Sequence, residues 1–192
     1  MAPREIDDSR RLAREYKRLL DAVAQPRARG SNGDGLRDEL LDAAAAGNTA
    51  KIAELLSRGA DLEGNDTSGR TAVINASWRG RTEVVDLLVE LGADFNVTDY
   101  DGRTAVSWAA SNGHNDIVQK LVEAGARTNV VDGDGLTPLM RAAWNGHDTI
   151  VRLLIESGAR ASMKDENGKS ALDYAFEGKH LDVVRTLRSF GA

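Results

Sequence analysis

Cysteine is absent from the 192 residues. Disulfides, thiolate nucleophiles and cysteine-ligated zinc are therefore excluded together, and the composition fits a reducing, cytoplasmic location. Histidine and proline are scarce, with three of each, and aromatic residues make up only 5% of the chain. Every Trp and Tyr that is present therefore needs an account. No apolar run approaches the about 20 residues that a membrane-spanning helix requires. The first residues carry arginines but no apolar stretch, which predicts no secretory leader. Glu5, Asp7, Asp8 and Glu15 argue against an acid-poor transit peptide.

The formal net charge is −5 and unevenly placed. Residues 1–35 hold eight Lys or Arg against six Asp or Glu, whereas the remainder holds 17 against 24. An acidic body lacks the clustered cations that nucleic-acid phosphates demand, so no nucleic-acid partner is expected. It favours instead a partner surface with some basic character.

What the chain does have is a repeat. "DTSGRTAVINASWRGR" starts at Asp66, "DYDGRTAVSWAASNGH" at Asp99, "DGDGLTPLMRAAWNGH" at Asp132 and "DENGKSALDYAFEGKH" at Asp165. Each step is 33 residues, kept by Gly69, Gly102, Gly135 and Gly168 and by the Gly-Ala pairs beginning at Gly59, Gly92, Gly125, Gly158 and Gly191. Each unit opens on an Asp-x-x-Gly turn. A short helix follows, with Thr71, Thr104, Thr137 or Ser170 near its N-cap. A Gly-containing break precedes a second helix with apolar residues at helical spacing, such as Val84, Val85, Leu88 and Val89.

This pattern resembles the ankyrin repeat in period and plan. "TPLMRAAWNGH", from Thr137 to His147, matches the family's Thr-Pro-Leu-x-x-Ala-Ala core most closely; the other units match it more weakly. The resemblance covers residues 36–192 and implies an all-α solenoid of stacked helix pairs with projecting β-hairpin loops. It divides that segment into units at 36–64, 65–97, 98–130, 131–163 and 164–192. The first unit lacks the opening turn and reads as a cap. The last carries Arg185, Arg188 and Phe190 and reads as a cap with a more polar face.

Residues 1–25 contain an amphipathic helix over 4–24, with Leu12, Tyr16, Leu19, Leu20 and Val23 in one stripe. Pro26 stops it, and residues 26–35 read as a flexible linker. Three roles are open to this helix: covering the first repeat, joining copies into a homo-oligomer or other assembly, or lying on a membrane. Its mixed charge speaks against the last.

Catalytic and metal chemistry find little support. An EF-hand loop with Gly102 or Gly135 at its sixth position would need acidic residues where Val97, Trp108, Val130 and Arg141 stand. The carboxylates are better read as turn formers. His114, His147 and His180 recur 33 residues apart in one slot. Packed helices lie about 8–10 Å apart, so the three histidines cannot meet at one metal, and a structural role in bonding the turn backbone is expected. Ser107 and His114 fall on different elements with no recurring third residue. No enzyme, cofactor or metal is predicted.

The aromatics remain. Aligned units show two slots three residues apart, one holding Asn75, Trp108, Arg141 and Tyr174 and the other Trp78, Ser111, Trp144 and Glu177. The resemblance implies that this helix face looks into a concave groove. Trp78, Trp108, Trp144 and Tyr174 would then form a ladder, with Arg79, Arg141, Asn112 and Asn145 beside it and Tyr100, Arg103 and Leu136 on the hairpins. The alternative is that these rings only fill space between hairpins and helices. Function is accordingly read as binding of a protein or peptide. Two alternatives stand beside it: an assembly subunit docking through its N-terminal helix, and a substrate of an asparagine hydroxylase, since "LVELGADFN" resembles that enzyme's ankyrin motif at Asn96.

Overall fold

The computed structural model describes residues 33–192. The helix expected over 4–24, and any assembly through it, lie outside these residues. The linker reading needs one correction, because residues 33–35 already belong to the first helix. None of the helices among the described residues is long and apolar enough to cross a membrane.

Among the described residues, ten helices follow one another in pairs. The first helices are α1 (Gly33–Ala46), α3 (Ala72–Arg79), α5 (Ala105–Ser111), α7 (Pro138–Trp144) and α9 (Ala171–Glu177). The second helices are α2 (Thr49–Ser57), α4 (Thr82–Glu90), α6 (Asn115–Glu123), α8 (Asp148–Glu156) and α10 (Leu181–Ser189). First helices pack on first helices and second on second, which makes a two-layer stack. Helices of seven to nine residues are too short to persist alone, so packing holds them.

The first layer is built on small residues. Ala76, Ala109, Ala142 and Ala175 are fully buried, and their size lets neighbouring helices approach closely. The second layer carries branched residues: Val84, Val85 and Leu88, then Ile117, Val118 and Leu121, then Ile150, Val151 and Leu154. Each large side chain so buried contributes about 1.5–3 kcal/mol. Thr71, Thr104, Thr137 and Ser170 all occupy N-caps; the last three accept the N3 backbone N–H, whereas Thr71 Oγ1 is buried without a partner. The loops between pairs are narrow hairpins, each closed by one backbone bond from an Asp N–H, as from Asp99 to Arg103 O (2.9 Å). Only an isolated bridge between Asn65 and Thr71 marks β pairing among the described residues.

The polar outer face expected of the last unit is only partly present. Arg185 is exposed there, but so are Phe176 (46%), Leu181 (64%) and Phe190 (40%). Phe176 stands in the slot where the inner pairs place buried Ala110 and Ala143.

A second device ties each pair to the one before it. Nε2 of His114, His147 and His180 lies 3.2, 3.2 and 2.9 Å from the carbonyl oxygens of Trp78, Ser111 and Trp144. One pair earlier the same slot holds Arg81, whose Nε donates to Ala45 O at 2.8 Å. The recurrent histidine is thus a backbone clip, as its spacing suggests. The imidazole needs room. A Cβ built at Gly113, which has φ 77°, would sit 2.7 Å from Cε1 of His147. Lys179 takes the equivalent left-handed position in the last pair, with φ 59°, where the others use glycine.

Two substitutions at this turn, with a third at a glycine elsewhere for comparison, are read by urea unfolding. Gly113→Ala should cost about 1–3 kcal/mol, because it adds a steric clash to an unfavourable φ. Gly125→Ala has a similar φ but open space around the new methyl group, and should cost less. Lys179→Gly should stabilise by about 1 kcal/mol by relieving the left-handed strain.

Candidate protein-interaction groove

The hairpin loops owe their shape to one carboxylate each. Oδ1 of Asp99 accepts the backbone N–H groups of Asp101 (3.1 Å) and Arg103 (2.8 Å). Asp66, Asp132 and Asp165 do the same for the residues two and four ahead of them. The second oxygen reaches the first helix. Asp99 Oδ2 accepts from Trp108 Nε1 at 2.8 Å, Asp132 Oδ2 from Arg141 Nε at 2.8 Å, and Asp165 Oδ2 from the Tyr174 hydroxyl at 2.6 Å. The donor always lies nine residues after the Asp. Asp66 departs from the rule and takes Arg70 Nε at 2.9 Å, which leaves Asn75 as the unused residue of that slot.

These bonds set the local titration. Tyr174's hydrogen bond holds Asp165 below its usual range. Burial, then that same bond, pushes Tyr174 up from 10.0 to about 12. Burial would raise Asp66, but the N–H groups of Arg70 and Ser68 and the Arg70 guanidinium outweigh it.

The aromatic side chains do not form one continuous ladder. Trp78 and Trp108 meet with ring centroids 5.6 Å apart, tilted by 46°. Trp144 and Tyr174 stack at 5.3 Å and 22°. Ser111 and Arg141 fill the slots between the two ring pairs. Trp144 is 48% and Tyr100 75% exposed, whereas Trp78 and Trp108 are half-buried. Two of the expected contact residues are corrected by burial. Tyr174 is only 7% exposed and turns its hydroxyl inward to Asp165, so it supports Trp144 from beneath. Leu136 is 2% exposed and belongs to the core, because its position is the base of a hairpin, where its N–H is held by Asp132.

Guanidinium groups crowd the rings. Arg79 lies 4.2 Å and Arg70 4.8 Å from the centre of a Trp78 ring, and Arg103 lies 4.7 Å from Trp108. Arg103 also reaches Asp134 (3.1 Å), which Arg141 holds at 2.6 Å, and these bonds keep Asp134 below its usual range. Arg141 is thus committed to Asp132 and Asp134. Exposed Asn112 and Asn145 donate to the carbonyls of Trp108 and Arg141. The remaining sequence candidates stay apart from this face. Ser107 Oγ pairs with Thr104 Oγ1 at 3.0 Å rather than with His114. Asn96 Oδ1 accepts the Arg127 backbone N–H at 2.9 Å and so joins successive loops.

Sequence reasoning read the aspartates as turn formers but missed their second oxygen. The signal was available: the residue nine positions after each Asp is Asn, Trp, Arg or Tyr, all carrying a hydrogen-bond donor.

Tyr174→Phe should remove a late tyrosinate absorbance step near pH 12. In the native protein, a raised Tyr pKa means that this bond's stabilisation is complete below pH 10.0 and disappears as pH rises towards about 12. The Phe variant should therefore be less stable than the native protein below pH 10.0 but lose less stability as pH rises towards about 12, as measured by urea unfolding followed by circular dichroism at both pH values.

No curated protein matches the chain. The family model for ankyrin repeats, which spans three copies, matches residues 40–132 and 108–192. The two matches run across nearly all of the described helix pairs, and modules of this kind are generally protein–protein interaction modules and typically non-enzymatic. The 33-residue period, the stacked helix pairs and this match agree: the chain belongs to the ankyrin-repeat family.

Proposed function

We propose that this chain is a non-enzymatic scaffold that binds a protein or peptide through the concave groove and the exposed hairpin tips. The observation that carries this reading is Trp144. Its indole is 48% exposed, yet it is stacked on Tyr174, which Asp165 anchors from below. A large ring held rigid before any partner arrives loses little entropy on binding. Trp, Tyr and Arg also dominate interface hot spots, and all three types line this face. Tyr100, packed against Gly69 of the preceding hairpin and 75% exposed, offers a second fixed ring at the tips. The absence of cysteine favours a cytoplasmic setting for this work.

A photo-crosslinking residue placed at position 112, beside the groove, would identify the partner, whose affinity can then be measured. Trp144→Ala should weaken binding about thirtyfold, the equivalent of about 2 kcal/mol. The fold should persist, with about 1 kcal/mol of stability lost from the Tyr174 stack. Tyr100→Ala should weaken binding while leaving the unfolding midpoint unchanged. Unaltered affinity in both variants would refute the groove reading.

A further inference from the structure

The whole chain is acidic, which points to a basic partner, but the groove between the second and third helix pairs has the opposite character. Arg70, Arg79 and Arg103 converge there on the Trp78–Trp108 pair. Most acidic groups nearby are already engaged, exposed Asp101 at the hairpin tip being the exception. Asp66 and Asp99 are held by their own loop N–H groups and by Arg70 and Trp108, and Asp134 by Arg103 and Arg141. Donors, by contrast, are left over. Exposed Arg79 has no carboxylate partner among the described residues. Arg103 faces Asp132 through Nε at 3.6 Å and Asp134 through one terminal nitrogen at 3.1 Å, which leaves its other terminal nitrogen uncommitted. Asn75, only 6% exposed beside this cluster, makes no side-chain hydrogen bond among the described residues.

We propose that this part of the groove receives a carboxylate-rich segment of a partner protein. Its Asp or Glu side chains pair with Arg79 and with the free edges of Arg70 and Arg103, while an apolar residue between them lies against Trp78 and Trp108. Guanidinium groups lying over indole rings present their N–H edges outward, and those edges match a carboxylate's two oxygens. The pairing here sets specificity and on-rate, and salt weakens it. The proposal deepens the groove reading and rests on it.

The probe is a fluorescein-labelled peptide of about nine residues, enough at about 3.3 Å per residue to cross three helix pairs about 10 Å apart. It alternates Asp and Glu around a central Phe, and its counterpart has Lys at every acidic position. Anisotropy should show binding of the acidic peptide to the full chain, weakening as salt rises, and no comparable binding of the Lys peptide. Arg79→Glu should weaken the acidic peptide about tenfold or more. Arg185→Glu, at the far end of the array and 77% exposed, should not. Binding of neither peptide, equal binding of both, or an Arg79→Glu effect no larger than that of Arg185→Glu overturns the proposal. If Trp144→Ala still weakens binding of the partner identified by crosslinking in that case, the groove reading survives and only the acidic occupant is wrong.

Discussion

Each hairpin of this solenoid hangs on a single aspartate. One oxygen gathers two loop N–H groups, and in three of the hairpins the other takes a donor from the following helix. A carboxylate that is nearly buried must have its lone pairs filled, and the loop and helix donors fill them. The same bonds orient the groove. Trp108, Arg141 and Tyr174 each occupy the donor position, so the identity of the helix donor decides what the groove presents at that level. An indole leaves an aromatic wall, a guanidinium makes a charged node, and a phenol withdraws inward to become a support. If the proposed groove is the binding site, architecture and recognition share one atom, Oδ2.

The coupling between pairs is as local as the hairpin itself. A histidine or arginine at the start of every second helix after α2 bonds a carbonyl 36 residues earlier, over a glycine with no Cβ to obstruct the side chain. Asn96 and Asn129 repeat the idea on the loops, accepting the N–H of Arg127 and Arg160. All of these bonds join neighbours only. Stability in such an array is approximately a sum of unit terms and nearest-neighbour terms. Position within the array can thus vary in chemistry without disturbing distant units, which is how one groove can be cationic near Trp78 and carry a Lys169–Glu177 ion pair at its other end.

Period, helix pairs, N-caps and the structural duty of the histidines were legible in the sequence because each depends on local spacing. Exposure was not. Leu136 and Tyr100 look alike as apolar residues of a variable hairpin, but one lies at the base and points into the core, while the other lies at the tip. That distinction arises from which N–H the Asp holds, and spacing alone does not reveal which way the side chain then turns. Tyr174 and Trp108 share a slot but not a fate, since a phenol hydroxyl and an indole N–H reach Oδ2 from rings of different size. The start of α1 at Gly33 was missed because "GSNGDG" has the composition of a linker.

Charge shows most plainly why whole-chain quantities mislead. A net of −5 is a sum over the whole chain, and charges more than a Debye length away are largely screened, so only nearby groups act at any one place. A ligand in the proposed groove would meet mostly carboxylates whose oxygens are already filled by loop N–H groups, Trp108 and arginines, beside the exposed guanidinium of Arg79. Four of the acidic residues, Asp66, Asp99, Asp132 and Asp165, shape the hairpins, and their oxygens are turned to loop and side-chain donors rather than to the proposed groove.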